Sequence, residues 1–145
     1  MCGAIVFAGW VTPLIRMTMK TLQTVTAIVE AGAGLALLGF PSATAKLLFG
    51  MPLDSSAAVN LARIGGAALL ALATICWPAR RDAHSLGSRW VVAVMTFYNI
   101  AVAAVLAFAS VGNGLHGALL WPAVAFHVAM GAWCILSLRA DDALR

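Results

Sequence analysis

Glu30 is the only glutamate in the chain, and it stands in the middle of the apolar run Thr21–Phe40. A carboxyl group at bilayer depth costs about 2.5–3.5 kcal/mol on insertion scales, so its position there points to a function. Three other apolar runs each contain one strongly polar residue: Arg63, Asn99 and His127. A buried carboxyl beside an amide and an imidazole can exchange protons, orient a ligand polar group or lock helices by hydrogen bonds. Asn60 and Tyr98 lie next to this set in sequence and complete the candidate polar core. A lone histidine with no second one at i+3 or i+4 is poor evidence for a metal site, and one histidine is weak support for haem, so no metal is expected. No C-x-x-C occurs among Cys2, Cys76 and Cys134, which removes the thiol-redox and zinc-ribbon patterns and leaves reduced, inert thiols.

The elements that must hold these groups follow from composition. Of 145 residues, 63% are hydrophobic and 10% charged, and mean hydropathy is +0.97. Soluble domains are about 45–50% apolar and about 25% charged. The sequence therefore predicts an all-α integral membrane four-helix bundle of one domain, with spans at 21–40, 57–77, 90–110 and 118–138. Residues 1–20 are read as a cytoplasmic or interfacial segment, 21–140 as the membrane domain and 141–145 as a tail. Residues 4–11 are too short to cross a bilayer, and Met17 is an alternative start to Met1. Pro41 is expected to close the first span and Pro78 the second, and Pro122 falls where early helical amides lack partners anyway.

Charge placement predicts orientation. Arg16, Lys20, Arg80, Arg81, Arg89, Arg139 and Arg145 fall on one side of the spans and only Lys46 on the other. Seven against one places both termini in the cytoplasm of a multi-pass inner-membrane protein. Trp77, Trp90 and Trp121 sit at span ends, as interfacial tryptophans do. The formal charge of +4 comes without a basic run, so nucleic acid is not an expected partner. After Pro41, Ser42 is expected to cap a short surface helix over 43–49 closed by Gly50, and Asp54, Ser55 or Ser56 to cap the second span.

Depth along each helix decides which polar groups can meet. From the cytoplasmic ends, Glu30 and Asn99 lie at about 13–14 Å, His127 at about 16–17 Å and Arg63 at about 21 Å. Helical side chains lean toward their N-terminus, which turns Glu30 and Arg63 away from each other. A Glu30–Arg63 ion pair therefore competes with Arg63 reaching the outer interface beside Asp54 or Asn60. The helical faces group Gln23, Glu30 and Gly34; Asn60, Arg63 and Thr74; Met95, Asn99 and Ser110; and His116, His127, Gly131 and Cys134. Tyr98 falls on a different face from Asn99, where simple packing is the alternative to a place in the polar core. Gly32, Gly34, Gly65, Gly66 and Gly131 offer close helix approach.

Residues 17–140 resemble the small four-helix bacterial membrane proteins called DoxX-like. The resemblance rests on Val29-Glu30-Ala31, Leu48-Phe49-Gly50, Ala62-Arg63-Ile64-Gly65-Gly66, Tyr98-Asn99, and Trp121-Pro122 ahead of His127. It implies a bacterial inner-membrane bundle. Some members are linked to quinol oxidation, and no distinctive redox motif here carries that role over.

The expected function is binding of an apolar or lipid-like ligand, a quinone or lipid among them, or of a partner membrane subunit or second copy, at the polar core. No resident cofactor is expected. One alternative is an intramembrane enzyme with Glu30 as acid or base; the other is a proton-coupled transporter acting as an oligomer. A second carboxylate or a nucleophile in the same layer would favour the enzyme. An inverted repeat would favour the transporter. Neither is visible, so the enzyme question stays open and leans toward no.

Overall fold

A computed structural model describes the backbone of residues 2–83 and 85–143, with side chains from Met19 onward. Among these residues every regular element is helical: α1 Cys2–Gly39, α2 Pro41–Phe49, α3 Ser56–Ala79, a 3-10 turn Arg80–Asp82, α4 Leu86–Val111 and α5 Leu120–Asp142. Four helices contain a stretch long and apolar enough to cross a membrane: Met19–Gly39 of α1, α3 continued into the 3-10 turn, α4 and α5. Large apolar residues such as Ile28, Leu61, Ile64, Phe97, Val105 and Phe108 point outward. Water would reject so continuous an apolar surface, and lipid accepts it. The chain is a multi-pass membrane protein.

The ends of the helices have local causes. Phe40 precedes proline and leaves the helical region (φ −133°, ψ 54°), which stops α1 at Gly39. Pro41 then starts α2, so the short helix begins two residues before the expected 43 and Ser42 is not its cap. The Thr44 hydroxyl lies 2.9 Å from the Phe40 carbonyl and 3.2 Å from that of Ala36, tying α2 to the end of α1. Gly50 closes α2 at φ 84°, a left-handed conformation that favours glycine. Of the three expected caps for α3, Ser55 serves, its Oγ accepting from the Ala58 amide at 3.1 Å.

Boundaries of the long helices α3, α4 and α5 differ from expectation by up to a turn. α3 runs through Pro78 to Ala79 instead of stopping before it. A proline this close to a helix end removes one hydrogen bond where few remain to be lost. The Trp77 carbonyl there accepts from Arg80 Nε at 3.0 Å. α4 begins a turn before Trp90, because Ser85 accepts from the Ser88 amide. α5 extends to Asp142 instead of 138, so the first two residues of the expected tail, Asp141 and Asp142, are helix; Leu144 and Arg145 lie outside the described residues. Residues 2–20 are helical and continuous with α1, whose membrane-length stretch begins at Met19. At 38 residues α1 is about 57 Å long, against about 30 Å of hydrocarbon.

The spans form a ring in which α1 packs on α3, α3 on α4, α4 on α5 and α5 on α1. The closest pairs are α1–α3 and α4–α5. At the α1–α3 crossing Gly34 faces Gly66. A Cβ on Gly34 would lie 2.8 Å from the Gly66 carbonyl oxygen, and one on Gly66 would lie 2.7 Å from that of Gly34. Backbone-to-backbone contact replaces side-chain packing there. Gly131 makes only ordinary contact with Asn99, and a Cβ on Gly32 or Gly65 would meet nothing within 4 Å, so those two glycines do not serve as approach points.

α2 covers the end of the bundle opposite to the start of α1. Its Leu47 carbonyl accepts from the Leu119 amide at 2.9 Å, which satisfies an orphan carbonyl of its last turn. Gly117 in the α4–α5 connection sits against the Leu48 carbonyl, where a Cβ would come within 2.3 Å. At the other end of the bundle, Met19, Leu22, Cys76, Val92, Met95, Met130 and Cys134 form one buried apolar cluster.

Candidate functional site

Glu30 projects from α1 into the bundle and is 3% exposed. Its Oε2 accepts from the Tyr98 hydroxyl of α4 at 3.0 Å. One residue on, Asn99 is 2% exposed, and its Oδ1 lies 2.8 Å from His127 Nδ1 of α5. The Tyr98 and His127 rings meet edge to face with centroids 5.8 Å apart. Glu30, Tyr98, His127 and Asn99 thus form one continuous chain across three helices. Neighbours on a helix point about 100° apart. That angle lets Tyr98 reach α1 while Asn99 reaches α5.

Hydrogen-bond direction fixes the role of His127 Nδ1. Asn99 Nδ2 donates to the Met95 carbonyl at 2.8 Å. A carbonyl only accepts, so the amide oxygen must face the imidazole, and Nδ1 must carry the proton that it donates. In the neutral ring Nε2 is then an acceptor. Neither that nitrogen nor Glu30 Oε1 is hydrogen-bonded to any described residue. Phe126 flanks the imidazole from the same helix, with ring centroids 5.6 Å apart. The site offers an imidazole nitrogen, a carboxyl oxygen and a phenol within largely apolar walls.

The expected common layer of Glu30, Asn99 and His127 is present, but its connections differ from those expected. Tyr98, one of the candidate polar-core residues, is the partner of Glu30 and does not merely pack. Neither Asn99 nor His127 bonds the carboxyl. Arg63 is exposed and makes no ion pair or hydrogen bond with Glu30, Asp54 or Asn60. Asn60 and Thr74 are exposed with it, so the Asn60–Arg63–Thr74 face of α3 looks outward. The side of α3 turned inward is the one bearing Gly66, Ala73 and Cys76. His116 is exposed in the connection before α5 and stands apart from His127.

A second polar group lies nearer the termini. Buried Gln23, seven residues before Glu30 on the same face, donates from Nε2 to Ser88 Oγ at 2.6 Å. Gln23 Oε1 and Ser137 Oγ are buried without a hydrogen-bond partner. Beside them Arg89 forms ion pairs with both Asp141 and Asp142, joining the start of α4 to the end of α5. Sequence reasoning read Arg89 as an orientation charge and missed this clamp. The available signal was two adjacent acids on a side of the bundle otherwise rich in arginine. Cys76 and Cys134 are free and buried in the apolar cluster. The described residues contain no group of three or more His, Cys, Asp and Glu side chains placed to hold a metal ion.

Fold and site together define a four-span helical membrane protein with one buried polar chain through its core. No protein family, curated protein or solved structure matches it.

Proposed function

We propose that this protein is a bacterial inner-membrane bundle with both ends in the cytoplasm that binds an apolar, lipid-like molecule bearing one polar group. Glu30, Tyr98, His127 and Asn99 would hold that group. The reading rests on one observation: the polar chain ends in two atoms with no hydrogen-bond partner among the described residues, His127 Nε2, an acceptor in the neutral ring, and Glu30 Oε1. A core that served packing alone would be less costly if it were apolar, because each buried polar group loses hydration. A ligand hydroxyl or N–H donating to Nε2 would offset that loss, while the aromatic rings beside it pack against the ligand body. The resemblance to DoxX-like proteins agrees with this reading and adds quinone-like and lipid-like molecules as ligand classes. A partner membrane subunit would engage the same groups if it offered a donor at that depth. The seven-to-one charge asymmetry supports the orientation.

The test is mass spectrometry of protein purified in mild detergent, comparing the parent with His127→Leu. The parent should carry one small molecule or partner chain, and the variant should lose it while keeping its helical content. A parent with nothing bound, or a variant that retains the adduct, overturns the proposal.

A further inference from the structure

Outside the polar chain, the most developed feature is a furrow of about 490 Å³ between α1 and α3, open on the lipid side. Ala27 and Ala31 of α1 and Leu70, Ala73, Thr74 and Trp77 of α3 line it. The alanines create it: two facing helices with methyl side chains leave a trough that larger residues would fill. Its volume falls in the range of about 300–1,000 Å³ usual for ligand sites. No member of the polar chain lines it, so it is a separate site.

The end of the furrow nearest the chain termini is marked by charge. The Arg80 guanidinium carbon lies 3.5 Å from the centroid of the Trp77 ring, and Nε–H is taken by the Trp77 carbonyl. The stack and the hydrogen bond hold the guanidinium at the mouth. Its two Nη groups have no partner among the described residues. Arg81 follows, exposed and without an ion pair to any described residue, and Asp82 in the same turn pairs with neither arginine. A pre-oriented fork of N–H donors above an apolar trough matches a phosphate carrying a hydrocarbon chain.

We propose that this furrow holds one acyl chain of an anionic phospholipid whose phosphate is bound by Arg80 and Arg81. Lipid chains alone would wet the trough without regard to headgroup. The placed arginines give the preference for negative charge, and Trp77 serves both parts by lining the trough and carrying the guanidinium on its ring.

Native mass spectrometry of the whole protein with phosphatidylglycerol and phosphatidylcholine of identical chains reads the preference directly. The parent should hold one lipid with an excess of the anionic one. That excess should fall about five-fold in Arg80→Gln and again in Arg80→Gln/Arg81→Gln. Arg139→Gln, an exposed arginine near the same end on α5, should leave it unchanged. Ala73→Phe, which fills the trough, should weaken both lipids. Equal binding of the two lipids by the parent overturns the proposal, as does an unchanged preference in the double variant. So does an equal loss in Arg139→Gln, which would show net charge without a site. Self-association that excludes lipid, and is abolished by Ala73→Phe, would assign the trough to a second copy and overturn it too.

Discussion

Tyr98 donates its hydroxyl to Glu30 from the residue next to Asn99, the side chain that holds His127. Two adjacent positions on α4 thereby reach two different helices, α1 across the bundle and α5 beside it. Among the described residues the Glu30 carboxyl has this one donor, and it is almost wholly enclosed.

Tyr98→Phe removes that donor and leaves the carboxyl enclosed without a partner. The expected loss is about 1–3 kcal/mol. Glu30→Gln keeps an acceptor for Tyr98 and should cost less than Glu30→Leu. The double variant Glu30→Leu/Tyr98→Phe should be more stable than the sum of the single losses predicts, with a coupling of about 0.5–3 kcal/mol. Unfolding in detergent measures all four, and strict additivity would mean that the two residues do not interact.

Arg63 and Glu30 are expected to behave independently. Arg63→Leu should change stability by the same amount in the parent and in Glu30→Leu, within about 0.5 kcal/mol. A larger coupling in the same double-variant cycle would restore the ion pair that the outward face of Arg63 rules out.

The clamp at the termini is unequal. Arg89 is 19% exposed and Asp141 4%, whereas Asp142 is 61% exposed. Removing one partner of a buried pair strands the other, and with Arg89 partly solvated the cost of Arg89→Gln is about 2–3 kcal/mol. Asp142→Asn should cost under about 1 kcal/mol, because exposed pairs contribute little. Chemical denaturation at two ionic strengths separates them, the Arg89 effect being the less sensitive to salt.

Helix approach should discriminate between neighbouring glycines. Gly66→Ala drives a methyl into the Gly34 carbonyl and should destabilise by about 1–3 kcal/mol. Gly65→Ala meets open space and should be neutral or stabilising by up to about 1 kcal/mol through helix propensity. Thermal melts of the two variants that prove indistinguishable would place the α1–α3 crossing elsewhere.

Orientation is tested by single cysteines in a cysteine-free background. Ser85→Cys should be labelled only from the cytoplasmic side and Ser56→Cys only from the periplasmic side. The reverse pattern would invert the topology.

Much of the architecture was legible because its signals are local. An apolar run of about 20 residues is a helix in lipid whatever its neighbours do, since each backbone group must bond within its own segment. The shared depth of Glu30, Asn99 and His127 followed from the rise per residue alone, and Ser55 was among the residues expected to cap α3. Boundaries were less legible, because Asp141 is drawn into α5 beside Arg89, which lies 52 residues away in sequence.

What the sequence determined by itself is the membrane class, the four spans and the level of the polar layer, since length, hydropathy and rise belong to each helix separately. Only the tertiary structure decided which groups touch. Partner choice depends on how far each helix is rotated about its axis, and that rotation is set by contacts such as Gly34 against Gly66 and Tyr98 against Glu30. At the α1–α3 crossing, Gly66 packs inward while Arg63, three residues earlier, remains exposed. No period within a single helix encodes that rotation, because it arises from the packing of one helix surface against another.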